Sequence, residues 1–424
     1  MTIEEILAMP EVERKIYYLK KGRKTEQPNA HALYNDWNPN KHEIVIDEEK
    51  YPKIKITTQP EKRITDPTTG KEYVEPAVRK EVDPNRIALP IEQDIVNIQT
   101  AFTVGTEPVL DCQPDQSEES LLSTLKQVFK KNKLKYQNKK VVRAWLAEQE
   151  VAEYWYVVKD DGFWAKLKRK ISGIFGKSKP EYRLKSAIWS PFRGDKLYPF
   201  FNDQGDLVAL SREYKKKDLN DVEITCFMTI TKDMVYQWEL TSNWTDKGTF
   251  AHGFKKMPVI YMYRPEAYCE KIKSLRVRLE KLLSNYADCI DYHFFPILML
   301  FGNVENFSGE FKNRVVELTG QGANAQYLTW SQVPDTVKFE VETLLSQIYG
   351  LTNTPRISFD SLKGTGNAVS GVTFDYVFMS THLNVENLNE TVGEFMQRRV
   401  NFLVSALGSV NSTLEEASET IDVD

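Results

Sequence analysis

The sequence predicts an α+β protein in which one β-rich region is flanked by regions of amphipathic helices. Three observations predict this class. Between about residues 150 and 263, apolar residues alternate with a period of two, and turn residues separate the segments. On both sides of that region the apolar residues recur every three or four positions, as in helices that pack against helices. From about residue 370 to 407 this helical pattern continues without a proline, which predicts a helix on the order of 55 Å long.

Composition places few limits on function. The chain has 424 residues, enough for two or three domains, and its 41% hydrophobic and 27% charged residues are ordinary for globular proteins. A net charge of −4 does not indicate a nucleic-acid binder over the whole chain. No apolar run reaches the roughly 18 residues of a membrane span, and a signal peptide is not recognisable, so we expect a cytoplasmic protein without membrane association. The cysteines lack CxxC spacing and are predicted to be reduced, buried thiols: Cys112, Cys226, Cys269 and Cys289.

The first 150 residues predict helices separated by an extended arm. A short helix is expected over residues 2–22, and a second over 86–103, which ends at Gly105. Residues 25–83 contain few core-forming side chains and predict a loosely packed arm with short strands at 42–46 and 51–57. Ser117 can cap a helix that runs to Leu146, with apolar residues on one side and many lysines on the other. The lysine side is either a solvated face or a basic stripe that faces DNA or an acidic neighbour.

The β-rich region is predicted to be antiparallel. The expected strands are residues 153–158, 184–189, 207–214, 222–230, 234–240 and 259–263. Residues 163–179 form a basic amphipathic insertion, which either binds a membrane surface or caps an edge of its own domain.

The last third predicts two helices around a small module, then a glycine loop and the long helix. The first helix covers residues 265–295 and stops at Pro296. The module contains strands at 297–301 and 327–330 and a short helix at 311–318, and the second helix covers 335–350. Gly408 is expected to cap the long helix, and the residues after it are polar and acidic.

The sequence does not predict catalytic, metal or cofactor-binding residues. The five histidines are far apart, and each is interpreted as a surface or packing side chain. The loop at residues 364–371 (GTGNAVSG) resembles a phosphate-binding loop but lacks the lysine that such a loop places on the phosphates. Asp288 and Asp291 can share one helix face, but a metal or acid–base site needs further partners, so they are predicted to face solvent.

Short motifs accompany the order of helix, small module, helix, glycine loop and very long helix. They lie at residues 85–87 (NRI), 102–109 (FTVGTEPV), 257–259 (MPV), 284–288 (SNYAD), 354–355 (TP) and 366–372 (GNAVSGV). In this order of elements and motifs the chain resembles the portal proteins of tailed double-stranded DNA phages. It departs from the family pattern at Thr373, where the family often has alanine.

The resemblance implies a division of the chain into portal domains. The implied domains are the wing at 1–263, the first stem helix at 264–299, the clip at 300–334, the second stem helix at 335–352, the tunnel loop at 353–370, the long wing helix (the spine) at 371–408 and a tail at 409–424, with a crown that is short or absent.

The resemblance also implies a function without catalysis. The protein is expected to form a homo-oligomeric ring, a dodecamer, at one capsid vertex of the virion, assembled in the host bacterial cytoplasm. Double-stranded DNA would pass through its channel, independently of sequence, during packaging and ejection. The expected partners are the terminase large subunit, the head–tail adaptor and the major capsid or scaffolding protein. The alternatives are another helical virion protein of the tail or baseplate and, with less support, a nucleic-acid enzyme.

Three groups of residues receive roles by position. The tunnel loop would contact DNA through Ser361, Lys363, Thr365 and Asn367. The clip would dock partners through Phe307, Phe311, Tyr327 and Trp330, although packing inside the clip is equally consistent for them. The packing of the stem and ring would use Ile272, Leu275, Leu279, Leu282 and Tyr286.

Overall fold

The computed structural model describes residues 1–59, 61–65, 72–110, 116–159, 182–293, 297–307, 316–328, 334–356, 371–410 and 414–415. The chain divides into two compact units. The first contains Met1–Trp37, Glu92–Glu270 and Thr352–Asp424, and the second contains Asn38–Ile91 and Lys271–Leu351. Both helices and strands are present, which confirms the predicted α+β class. None of the helices in the described part of the chain has the length and hydropathy that crossing a bilayer requires.

The first unit begins with short helices that pack on a sheet. The sequence predicted one helix over residues 2–22, but Pro10 separates α1 (Ile3–Leu7) from α2 (Val12–Lys21). Thr2 and Glu5 form a reciprocal capping box at the start of α1. A third helix, α3 (Ala30–Trp37), lies inside the predicted extended arm, so that part of the arm prediction is wrong. The apolar faces of α1 and α2 share a core cluster with the sheet residues Tyr198, Phe227 and Trp238.

Three longer helices follow in this unit. The helix predicted from residue 86 begins five residues later, as α5 (Ile91–Val104), directly after Pro90, because a proline disfavours helical backbone in the residue before it. The single helix predicted from Ser117 is divided into α6 (Gln116–Asn132) and α7 (Leu134–Glu148). Lys133 separates them with a φ of 54°, a left-handed conformation that interrupts an α-helix. Both halves still bury apolar faces, so the periodicity predicted the buried side correctly and missed only the break.

The β-rich region forms two antiparallel sheets. One has the strand order β11-β10-β9-β8-β7 and the other β12-β5-β6. A shared cluster of buried side chains that includes Ala152, Leu210 and Val259 packs the sheets against each other. The strands are β5 (Glu150–Lys159), β6 (Tyr182–Trp189), β7 (Lys196–Phe201), β8 (Leu207–Lys217), β9 (Glu223–Thr231), β10 (Met234–Leu240), β11 (Trp244–Ala251) and β12 (Val259–Tyr263).

The two strands that the sequence analysis missed, β7 and β11, are the edges of the five-stranded sheet. Strand β7 contains Pro199, which cannot donate to a ladder and therefore argues against a strand except at an edge. Strand β11 is almost entirely exposed and lacks an apolar alternation. The six predicted strands are present, two of them with the predicted bounds. The insertion at 163–179 lies outside the described residues.

The second unit combines two helices with strand pairs. After a 3-10 turn at Glu270–Ile272, its helices are α8 (Lys273–His293) and α9 (Pro334–Leu351), which pack against each other. Between them β13 (Ile297–Phe307) and β14 (Val316–Leu328) form an antiparallel pair. The strand predicted at 297–301 extends to Phe307. The strand predicted at 327–330 is the end of a strand that begins at Val316, and residues 329–330 lie outside the described residues. The predicted helix at 311–318 is wrong at residues 316–318, which pair as a strand, and its remainder lies outside the described residues.

The remainder of the second unit comes from residues 38–91. The strand predicted at 42–46 is wrong: a 3-10 turn (Pro39–Lys41) and helix α4 (Glu43–Ile46) occupy this stretch, and Ile44 is buried. The β-branched residues favoured a strand locally, but contact of α4 with α8 stabilises a helical turn instead. The predicted strand at 51–57 corresponds to β1 (Ile54–Gln59), which pairs with β4 (Val78–Val82), while β2 (Lys62–Thr65) pairs with β3 (Glu72–Glu75).

The long helix is α10 (Gly371–Val410), with 40 residues and a length of about 60 Å. It belongs to the first unit, where it packs on strand β12 and helix α6. The predicted cap at Gly408 is wrong, because the helix continues through Gly408 to Val410 and Gly408 is buried. Packing of the surrounding residues, among them Leu403 and Leu407, extends the helix past a residue that usually ends one.

Candidate functional site

The loop predicted to contact DNA lies between two described flanks of the first unit. Ser361, Lys363, Thr365 and Asn367 themselves are outside the described residues. Thr352–Arg356 leads into the loop, and helix α10 begins at Gly371 directly after it. The geometry of the site is therefore the geometry of these flanks and of the elements that hold them.

A buried hydrogen-bond network holds the incoming flank. The side-chain amide of Gln99 on α5 donates to the carbonyl oxygens of Thr352 and Asn353, both at 3.1 Å, and to the Thr354 hydroxyl at 2.9 Å. The Tyr268 hydroxyl donates to the Thr352 carbonyl at 2.6 Å. Of the five residues in these bonds, four are buried: Gln99, Tyr268, Thr352 and Thr354. Water therefore does not compete for the bonds between them.

The long helix closes the same network from the other side of the loop. The Asn384 amide nitrogen donates to the Gln99 side-chain oxygen at 2.9 Å and to the Tyr268 hydroxyl oxygen at 3.0 Å. The Thr381 hydroxyl donates to the Asn353 carbonyl at 2.8 Å, while Asn353 holds a φ of 48°. The start of the loop is thus tied to α5 and to α10 at once. Burial raises the pKa of Tyr268 to about 12, so its hydroxyl stays protonated and able to donate.

Sequence reasoning did not find this network. Its members carry no shared motif, and Gln99 and Asn384 are 285 residues apart. One signal was present: both are amides on the apolar side of a helix, where a polar side chain is costly unless it is hydrogen-bonded.

The second half of α10 is held by a buried ion pair. Arg399, which is 0% exposed, donates from Nε to the carboxylate of Glu153 on β5 at 2.6 Å and from Nη1 to Asn138 on α7 at 2.5 Å. About one turn later on the same helix, the ring of Phe402 packs edge-on against Phe254 and lies beside Trp155. These contacts attach the second half of α10 to the other elements of the first unit.

In the second unit, α8 and α9 are joined by apolar packing and one ion pair. Of the predicted packing residues, Ile272 and Leu279 are fully buried within the chain itself, and the other three (Leu275, Leu282 and Tyr286) are half-buried. Leu344 and Ile348 are the buried residues of α9. Arg278 on α8 donates two hydrogen bonds to Glu340 on α9, at 2.8 and 2.6 Å.

The segment at 83–90 is hydrogen-bonded to side chains along α8. Its backbone amides at residues 85, 87 and 89 each receive a side-chain acceptor from positions one helical turn apart: Asp288 at 2.8 Å, Ser284 at 2.9 Å and Glu280 at 2.8 Å. The Asn85 side chain also donates to Asp288 and to Asp291, at 2.9 and 2.7 Å. The NRI stretch at 85–87 is thus a strap on the helix.

The structure corrects two predictions about single residues, those for Asp288 and Cys289. Asp291 is exposed, as predicted, whereas Asp288 is half-buried and bonded, so its prediction as a solvent-facing carboxylate is wrong. His42 is a packing histidine: it is buried and its Nδ1 lies 2.7 Å from Glu280, which also pairs with Arg276 at 3.1 Å. Cys226 and Cys269 are buried as predicted, the prediction for Cys289 is wrong because this thiol is exposed, and Cys112 lies outside the described residues.

The candidate docking residues are only partly within the described chain. Phe307 ends β13 and Tyr327 lies near the end of β14, while Phe311 and Trp330 fall outside the described residues. Among the residues that the structure describes, no group of three or more His, Cys, Asp or Glu side chains is placed to hold a metal ion. Of the glycine loop that resembles a phosphate loop, residues 364–370 also lie outside them, and Gly371 is the first residue of α10.

Comparison with known proteins agrees with this arrangement. Residues 40–424 match the family model described as phage portal protein, SPP1 Gp6-like. A search of curated proteins gave no significant match. The matched region includes the strap, the helix pair with its strands, the loop and its anchors, and the 40-residue helix. Because the match covers far more than half of the sequence, the chain belongs to the phage portal protein family, SPP1 Gp6-like.

Proposed function

We propose that this portal protein forms a ring of about twelve copies at one vertex of the phage capsid, and that double-stranded DNA passes through the ring during packaging and ejection. The family is one of structural proteins rather than enzymes, which agrees with a passive conduit. In this proposal α8 and α9 form the stem, β14 and the part of β13 from residue 300 onward belong to the clip, residues 353–370 form the tunnel loop, and α10 is the spine of the wing.

The observation that carries the proposal is the buried network at Thr352–Thr354. A loop that touches moving DNA must start from a fixed position. If its base moved, its residues would not stay within reach of the DNA in the channel. Gln99, Tyr268 and Asn384 provide that fixed start through hydrogen bonds from two helices and a connecting segment.

The loop residues support light, sequence-independent contact. Ser361, Thr365 and Asn367 offer hydrogen bonds, and Lys363 offers one charge, to phosphate oxygens. A dense phosphate-binding surface would hold DNA tightly and oppose its movement, whereas one cation in each copy gives weak contact that the ring repeats.

The stem residues divide between two roles in this proposal. Ile272 and Leu279, buried within one chain, stabilise the helix pair itself. Leu275, Leu282 and Tyr286, which are half-buried, contact the neighbouring copy. The clip, with Phe307, Phe311, Tyr327 and Trp330, docks the terminase large subunit and later the head–tail adaptor, while the wing meets the major capsid or scaffolding protein.

The first experiment is native mass spectrometry of the purified protein with rotational averaging of negative-stain images. A closed ring with a central hole is the expected result, and a compact dimer would contradict the proposal.

The second experiment changes Ser361, Lys363, Thr365 and Asn367 together to alanine. The ring is expected to assemble as before while DNA packaging or retention falls. The matched control replaces exposed surface residues of the first unit, Lys232 and Asp233, by alanine. Loss of ring assembly in the loop variant alone would make the loop a structural connector.

A further inference from the structure

A groove lined by lysines lies on the first unit, where α6 meets α7. It has a volume of about 780 Å³ and is bordered by Lys126, Lys130, Lys133 and Lys135. Val109 and Tyr136 also line it and are 90% and 63% exposed. The left-handed residue Lys133 turns the chain between the two helices at this point. We refer to this feature as the lysine groove.

The charge around the groove is strongly segregated. Residues 120–147 contain seven lysines and one arginine and no aspartate or glutamate, in a chain whose net charge is −4. Of the groove lysines, Lys135 lies 3.9 Å from Glu107, a long and solvent-exposed ion pair. The groove therefore favours an anionic occupant.

The apolar walls indicate what kind of anion. Val109 and Tyr136 present large uncovered apolar surfaces beside the lysines. A phosphate backbone would satisfy the lysines and leave these two side chains in water. A peptide that alternates acidic and apolar residues satisfies both, because successive side chains of an extended chain point to opposite sides.

Residues 416–424 of this chain have that pattern. The stretch from 415 to 424 (EEASETIDVD) carries five acidic residues and no basic one. Ile421 and Val423 alternate with Asp422 and Asp424 at its far end. Its charge and its apolar spacing complement those of the lysine groove.

A series of contacts within the first unit connects the groove lining with Glu415, where this stretch begins. Asn138, a lining residue, accepts a hydrogen bond from Arg399. One turn later on α10, Phe402 packs against Phe254, with ring centroids 5.2 Å apart. The next residue, Lys255, lies 3.4 Å from Glu415. The nine residues after Glu415 can span up to about 30 Å when extended.

We propose that residues 416–424 occupy the lysine groove of their own copy and screen its lysines from DNA phosphates. Only the screening role rests on the proposed function. In a protein that passes DNA, an open groove with four lysines would bind phosphates and retain the duplex. An acidic occupant removes that attraction without removing the lysines.

The test uses the full-length protein and three variants. The acid variant changes Glu416, Glu419, Asp422 and Asp424 to their amides and leaves Glu415 in place. The groove variant changes Lys126, Lys130 and Lys133 to glutamine. The control variant changes Lys131, Lys139 and Lys140 to glutamine, with the same loss of charge on the same helices but outside the groove lining. Unchanged circular dichroism and melting temperature establish that each variant folds.

The first measurement is the binding of a fluorescent peptide of residues 411–424 to the acid variant, whose groove is expected to be open. Removing the three groove lysines as well should weaken this binding about tenfold, since several exposed ion pairs are lost together. The control lysine changes in the same background should leave it within about twofold. Equal weakening by both sets of lysine changes, or absence of peptide binding, would overturn the proposal.

The second measurement is the binding of a 20-base-pair duplex at low salt. The acid variant should bind DNA more tightly than the unchanged protein, and the groove changes should abolish the gain. If the groove lysines bind DNA equally well in both proteins, the groove is a nucleic-acid contact and the screening proposal fails.

Carbodiimide cross-linking of mixed isotope-labelled and unlabelled protein shows whether residues 416–424 occupy the groove of their own copy or of another. Lysine–acid cross-links between differently labelled chains would refute occupation within one copy. Neither measurement depends on ring closure, so failure of the ring proposal is detected separately by native mass spectrometry.

Discussion

Replacing Glu148 by glutamine should stabilise the protein at neutral and alkaline pH and have little effect in acid. Glu148 ends α7 and is 7% exposed, and its carboxylate accepts the Phe192 backbone N–H at 2.6 Å. Burial, the largest cause, raises the pKa of this carboxyl from 4.5 to about 7. The Phe192 ring in turn packs against Tyr34 and Trp37. The charged form of Glu148 is therefore a cost that the fold carries near neutral pH.

The sign follows from the raised pKa. The folded protein binds the Glu148 proton more tightly than the unfolded chain does, so this group contributes stability that is fully present below pH 4.5 and is lost as the pH rises through 7. The rise of the pKa from 4.5 to about 7 corresponds to about 3 kcal/mol, which is an upper value for the effect above pH 7. Glutamine stays neutral, and its oxygen can still accept the Phe192 bond. The free energy of unfolding of Glu148→Gln should thus exceed that of the unchanged protein by up to about 3 kcal/mol at pH 8 and by close to zero at pH 4.5.

The assay is urea unfolding followed by tryptophan fluorescence at pH 4.5, 6 and 8. Glu386→Gln, at an exposed position on α10, is the matched control for the loss of one carboxylate. A Glu148→Gln effect of equal size at all three pH values would refute the reasoning, as would destabilisation at pH 8. The first result would mean that folding leaves the pKa of Glu148 unchanged, and the second that hydrogen bonds stabilise its carboxylate more than burial penalises it.

Three further substitutions test the packing of the two units. Leu279→Ala should lower the free energy of unfolding by about 2–5 kcal/mol, because it leaves a cavity at a fully buried position, and Leu282→Ala at a half-buried position should cost less in the same urea titration. Arg399→Met should cost about 3–5 kcal/mol because it leaves the Glu153 carboxylate buried without its cation, and adding Glu153→Gln should recover part of the loss; additive costs in this double-mutant cycle would contradict a direct pair. Asn384→Leu should speed hydrogen exchange at Asn353 and Thr354 and cost about 1–3 kcal/mol; unchanged exchange there would mean that the network does not hold the loop flank.

Much of the candidate site was predictable because it depends on order along the chain. The two helices, the strands between them and the long helix are long periodic segments, in which many residues report the same structure. The errors occurred where the conformation of one or a few residues determines the secondary structure. Lys133 breaks a helix by one dihedral angle, and residues 42–46 become helical although their β-branched residues favour a strand. The edge strands β7 and β11 lack the alternation that identifies a half-buried strand.

The sequence by itself determined the class, the order of elements and the resemblance to portal proteins, because periodicity and local motifs are properties of neighbouring residues. Only the tertiary structure decided which polar residues hold the loop flank and the strap. Gln99 meets Asn384, and Asn85 meets Asp288, across more than 200 residues of chain. Such pairs form because burial leaves each polar group dependent on whichever partner the fold brings within hydrogen-bond distance, and no spacing in the sequence encodes that distance.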